Sequence, residues 1–448
     1  MHILNNEQKN NLLKDYYVDK KTFFIVIIIS SSLILLTAIL IIILLTTSTN
    51  VLYENEEILP GYIPINSITN KYYIEDPSKP VLLFNNKYTY LIHSIRINGE
   101  KIEDIKNEYI FQTKGEYIIK LSLKKPLKTT EELFMDCERL TEVNLANLTT
   151  ENIKNSAKMF YNCVNLEKIN FENFDANYLY NMSYMFYNCN SLSSVDLSNF
   201  KGKELKDISY LFYNCNNLVN INFGIFYTGN VTNMSHLFYS CGALTELNLF
   251  FDTDNVKDMS HMFHGCYNLS NISQTFNTKK VMYMNNMFDG CENLLSLDLN
   301  NFETDNVINI SYMFNNCKTL QDLNFSINNL NNVNDMSYMF SNCENIINIE
   351  LIDSNTTKLE NMSYMFNNCS NLMNLNMTNF ITENVNDMSY LLCNCEKLTF
   401  IDFSSFDTSK VNNYENIFEG LADEGTFVYD KGKFKEEILE QLPEKWKK

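Results

Sequence analysis

Proline is nearly missing from most of this chain. The six prolines are Pro60, Pro64, Pro77, Pro80, Pro126 and Pro443, so none falls between 127 and 442. Proline lacks an N–H and breaks regular hydrogen-bonded structure, so that stretch reads as one continuous architecture. Basic charge is also scarce. Lys and Arg total 35 against 54 Asp and Glu, giving a net charge of −19 and a pI near 4.8. That balance argues against a nucleic-acid binder, which needs cations to displace phosphate counterions. Glycine forms no localised loop, and no phosphate loop, G-x-S-x-G or clustered His/Cys/carboxylate set stands out. With 45% hydrophobic and 20% charged residues, the chain is nonetheless globular rather than disordered.

What is present begins with a charge-free run, "FFIVIIISSSLILLTAILIIILL", over 23–45. At ~1.5 Å per residue it spans ~34 Å, enough for a ~30 Å hydrocarbon core. It is longer than the apolar region of a cleaved signal peptide, and no clear A-x-A site follows. Lys20 and Lys21 precede it, and Glu54, Glu56 and Glu57 follow it. Positive residues stay inside, so a cytoplasmic N-terminus and an external C-terminal part are expected.

The expected divisions are a cytoplasmic tail (1–22), a signal-anchor helix (23–45), a linker (46–59), a small all-β domain (60–127), a repeat solenoid (128–418) and a C-terminal cap (419–448). The β expectation rests on "VLLF", "TYLIHSIRI" and "EYIIKLSLK", separated by "NGE" and "KGE" turns. His93 is isolated there and suggests no catalytic set.

The solenoid expectation rests on cysteine. Cys137, Cys163, Cys189, Cys215, Cys241, Cys266, Cys291, Cys317, Cys343, Cys369 and Cys395 recur every 26 residues, shortening to 25 in two consecutive intervals. A period of this length marks stacked units that bury their apolar faces on one another. In "NMSYMFYNC" (181–189), Met182, Met185 and Phe186 share the spacing of one helix face. Asn181 and Ser183 suit its N-cap, and Asn188 suits a left-handed end. After each cysteine the period becomes two, as in Leu192, Val195 and Leu197, which predicts a short strand. The expected fold class is therefore an α/β leucine-rich-repeat-like solenoid, one short helix and one short parallel strand per ~26 residues.

The pattern N/D-M-S-Y-M-F-x-N/G-C-x-x-L-x-x-L-D-L-S-x-F-x-T-x-x-V resembles the BspA-like leucine-rich repeats of microbial surface proteins, over roughly 130–415. The resemblance implies cell-surface display, adhesion to host or neighbouring-cell molecules, and no enzymatic activity or cofactor. The ending "GTFVYDKGKFKEEILEQLPEKW" resembles the closing segment of such repeats, with Trp446 as an anchor for the cap.

Four sets of residues are candidates for more than packing. One thiol per coil suits a buried ladder, with disulfides between neighbouring coils as the alternative in an oxidising exterior. Cys393, off register, is expected to be exposed. His236, His261 and His264 form a weak candidate metal site, against substitution within an aromatic ladder where Tyr is usual. The residue seven after cysteine draws a polar line: Asn170, Asp196, Asn222, Asn248, Asp298, Asn324, Glu350 and Asn376. On a strand face it is the candidate ligand-binding surface for a glycan or protein, or simply a solvated face. Asn147, Asn230, Asn268 and Asn355 are candidate glycosylation sites. Near 272–282, where the interval shortens and Gln274 replaces an apolar residue, the sheet is expected to loosen.

The leading expectation is a single-pass membrane protein that binds an extracellular protein or glycan and no nucleic acid. The alternative is a surface coat or scaffold built from packed solenoids.

Overall fold

The computed structural model describes residues 66–447, apart from 151, 274–275, 300–301, 325–329, 352–354 and 378–379. The expected tail, anchor helix and linker lie outside the described residues, as does Gln274. Among the described residues no helix is long and apolar enough to cross a membrane.

The first strands are β1 (Ser67–Ile74), β2 (Val81–Leu82), β3 (Ile92–Ile97), β4 (Glu100–Ile102), β5 (Glu108–Tyr109) and β6 (Gly115–Leu123). They are antiparallel, as their alternating apolar residues predict. β2 and β5 pair with each other as a small separate ribbon, but β1, β3, β4 and β6 do not close as a sheet of their own. β1 pairs with β6 on one side and with β7 (Leu140–Asn144) on the other, and β7 pairs in parallel with β8 (Lys168–Asn170). The antiparallel segment thus shares the sheet of the first coils, and Ile65–Lys448 is one compact unit. Pairing β1 against β7 covers an edge that the first coil would otherwise leave open.

Each later coil contributes a strand of three or four residues: β9 (Ser194–Asp196), β10 (Asn220–Asn222), β11 (Glu246–Asn248), β12 (Asn271–Ser273), β13 (Ser296–Asp298), β14 (Asp322–Asn324), β15 (Asn348–Glu350), β16 (Asn374–Asn376) and β17 (Phe400–Phe403). β18 (Thr426–Tyr429) pairs with β17 in parallel. Of the two shortened intervals, the first leaves β11 and β12 paired in register, Leu247 beside Ile272, whereas across the second β12 and β13 fall in different two-stranded sheets among the described residues. A second, unbroken ladder of parallel bridges runs on the far side of the coils, from Asn155 through Asn181 and Asp207 to Asn413.

The helix expected before each cysteine is absent among the described coils; consecutive turns replace it. The N–H groups alternate between two destinations. Those of Met185, Tyr187 and Cys189 close turns onto Met182, Tyr184 and Phe186, while those of Tyr184, Phe186 and Asn188 reach Ser209, Leu211 and Tyr213 of the next coil at 2.8–3.0 Å. Tyr184 and Asn188 sit at φ 60° and 59°, which no α-helix permits. Asn188 was expected in the left-handed region; Tyr184 was not. Met182, Met185, Phe186 and Cys189 are all fully buried. Turns of this kind bury the same i, i+3, i+4, i+7 positions as a helix, so periodicity alone does not separate them.

The core is built of ladders. Phe134, Phe160, Phe186, Phe212 and their counterparts stack along the coils, with successive centroids 5.3–5.8 Å apart. The last face is closed by a segment containing a one-turn helix (Glu436–Leu439) and Trp446, whose Nε1 donates to the Ala422 carbonyl at 2.8 Å.

Candidate functional site

All twelve cysteines are reduced and buried. Each thiol from Cys163 to Cys395, Cys393 aside, donates to a phenylalanine carbonyl of the preceding coil, as Cys189 Sγ does to Phe160 O at 3.2 Å. Burial pushes these thiols up, Cys266 to about 12, so they are unreactive at neutral pH. Cys393 is buried rather than exposed, because its turn packs against the last coil, and burial raises its pKa too.

The three histidines come together. His236 and His261 stack with centroids 4.4 Å apart and planes 19° from parallel, while His264 stacks on Tyr239. They continue columns of stacked tyrosines, among them Tyr184–Tyr210 and Tyr187–Tyr213. Nδ1 of His264 lies 3.1 Å from Asp289. Burial lowers His236 to about 4, helped by the neighbouring charges of His261 and His264. Among the described residues no group of three or more His, Cys, Asp or Glu side chains is placed to hold a metal ion.

The polar line at the strand ends does structural work as well as facing outward. The side-chain oxygens of Asn170, Asp196 and Asn222 accept the N–H two residues on, at 2.8–3.1 Å, and so turn the chain out of the strand. The bonds from Ser198 hold Asp196 below the usual carboxylate range. Asn170, Asp196, Asn222, Asn248 and Glu350 are exposed, and Asn376 is half-buried. Asp298 and Asn324 end β13 and β14 in register with each other. All four sequon residues, Asn147, Asn230, Asn268 and Asn355, are exposed, and Asn230 and Asn268 also donate to Lys203 O and Gly242 O of the preceding coil.

Sequence reasoning missed a long groove. It measures about 1150 Å³ and is lined by Met282, Asn306, Ile308, Asn332, Asn334, Thr357, Lys358, Glu360, Asn384, Asn386, Lys410 and Asn412. Two adjacent columns build it, flanking the buried Val307, Val333, Leu359, Val385 and Val411. In the outer column the residues hold one another: Asn332 donates to Asp305 O and accepts from Lys358 Nζ at 2.7 Å, and Asn384 accepts from Lys410 Nζ at 2.6 Å. In the inner column the backbone is tied, since the N–H of Asn334, Glu360, Asn386 and Asn412 each reach the preceding coil. The carboxamides of Asn334, Asn386 and Asn412 are exposed and have no hydrogen-bond partner among the described residues. The sequence signal for this site was a change within one column, from Lys, Tyr and Thr (Lys206, Thr232, Lys257) through Met282 and Ile308 to Asn and Glu.

Three comparisons bear on these features. The family model described as "Mycoplasma protein of unknown function, DUF285" matches residues 128–249, 244–350 and 335–424. No curated protein matches. Among solved structures, a leucine-rich repeat protein from Eubacterium ventriosum is 18% identical, covering 64% of this chain and 78% of its own, with a TM-score of 0.35. A TLR13–ssRNA13 complex is 17% identical, covering 64% of this chain and 46% of its own, with a TM-score of 0.23. At such scores the architecture rests on the ladders above and not on these likenesses.

Proposed function

The chain belongs to the DUF285 family, and on that footing we propose that it is a membrane-anchored, BspA-like surface protein whose solenoid binds a macromolecule without chemical turnover. The anchor is the apolar run 23–45, with the N-terminus cytoplasmic and the solenoid outside. The observation that carries this reading is the groove of about 1150 Å³, whose lining crosses successive coils from Met282 to Asn412. A long, rigid, polar surface suits an extended ligand, because stacked coils lose little freedom when it binds. The exposed row at the strand ends offers that ligand a second surface.

A scaffold role is the second reading, favoured by an apolar patch elsewhere. Phe250 is 89% exposed and Ile225 68%, beside Tyr227. Such a patch suits packing against another protein surface.

Two measurements test the proposal. Protease added to intact cells digests the part after residue 50; protection of that part contradicts the orientation. The full chain in detergent, screened against glycans and extracellular proteins, binds at least one of them. Self-assembly with no such binding favours the scaffold instead.

A further inference from the structure

Asparagine is spent in this fold mainly on architecture. Asn188 donates to Asn162 and accepts from Asn214, at 2.8 and 3.0 Å, in a ladder one residue before the cysteines. Asn165 and Asn371 tie to carbonyls of the preceding coil just after them. Asn306 and Asn384 do so in the outer column of the groove, and Asn255 does so in an earlier coil. Against this background the inner column differs. Asn334, Asn386 and Asn412 project three uncommitted carboxamides into one groove, with Glu360 between them and Ile308 and Met282 at its near end.

We propose that this groove takes a linear neutral polysaccharide lying along the coils, an inference that rests on the recognition role above and names its ligand. A carboxamide both donates and accepts, which matches the hydroxyl group, itself donor and acceptor. Coils recur at ~4.8 Å, close to the rise of one pyranose in an extended glycan, so successive sugars meet equivalent groups. Ile308 and Met282 give the C–H face of a ring an apolar seat. A protein partner finds less here. Interface hot spots favour Trp, Tyr and Arg, and the groove lining among the described residues has none. A polyanion finds only Lys358 and Lys410, both already donating to asparagines and flanking Glu360.

The test titrates full-length protein in detergent with cello-, xylo-, manno-, malto- and chito-oligosaccharides of increasing length. Hyaluronan, oligogalacturonate and an array of extracellular proteins are probed in parallel. The expected result is binding to at least one neutral series, strengthening with length until the ligand spans the six inner-column residues from Met282 to Asn412, about 24 Å at ~4.8 Å per coil. Replacing Asn334, Asn386 and Asn412 together by Ala weakens it more than about tenfold. About 0.5 M salt changes it less than about threefold. Binding confined to the acidic polymers, or to a protein, overturns the neutral glycan and leaves recognition standing. Neutral-glycan binding that survives the triple asparagine variant moves the site out of the groove. Binding to nothing tested overturns both this inference and the recognition role.

Discussion

Tyr184 and Asn188 hold φ near +60°, and their counterparts do so coil after coil, including His236 at 57° and His261 at 56°. A non-glycine residue in this region costs roughly 1–2 kcal/mol. The inter-coil bonds donated by the same residues offset that cost. At the Tyr184, Tyr210, His236 and His261 positions the rings stack on one another, an arrangement that charge on adjacent imidazoles opposes. The folded His236 is lowered to about 4 from the ordinary histidine value of 6.5. Between those values the unfolded chain takes up a proton that the folded chain refuses, so this residue removes stability as pH falls from about 6.5 towards 4. His236→Tyr is therefore expected to flatten the fall of the melting temperature over that window while changing little at pH 8. An unchanged acid slope would place the sensitivity in other groups.

Between coils, one connecting element beyond the backbone is a column of buried threonines. Thr278 Oγ1 donates to Glu303 O at 2.8 Å and accepts from Glu303 N at 2.7 Å; Thr356 and Thr382 repeat the arrangement with Ile381 and Asp407, while Thr408 donates to Lys433 O and accepts from Lys435 N. Val in place of Thr278 keeps the shape but takes the hydroxyl partner from both backbone groups of Glu303, in a part-buried position. The expected cost is about 2 kcal/mol, read as a lower urea midpoint with an unchanged slope. A neutral effect would mean water reaches Glu303 and the column is decorative. This scale also shows what could be read beforehand. The 26-residue period, the strand after each cysteine and the buried Met, Phe and Cys positions follow from residue type alone. The turn segment does not, because its burial repeat coincides with that of a helix, and the choice is made by hydrogen bonds to the next coil. Nor could the antiparallel strands be joined to the solenoid beforehand, since the pairing of Lys71 with Glu142 links distant residues.

Across the whole molecule, structure and recognition draw on the same residue type. Asn recurs in several columns, and only its partners show which column has been left open. For this reason the groove escaped the sequence, whereas the strand-end line, visible as a run of Asn and Asp, proved to have side chains engaged in turns at Asn170, Asp196 and Asn222. The division of labour is measurable without knowing the ligand, by thermal unfolding of two triple variants. Asn188, Asn214 and Asn368 changed to Ala lose ladder hydrogen bonds. Asn188, Asn214 and Asn368 also hold φ of 59°, 56° and 60°, so the melting temperature should fall by roughly 5–10 °C. Asn334, Asn386 and Asn412 changed to Ala should leave it within about 1 °C. Equal losses in the two variants would show that the groove asparagines are structural after all, and would contradict the assignment of that column to a ligand.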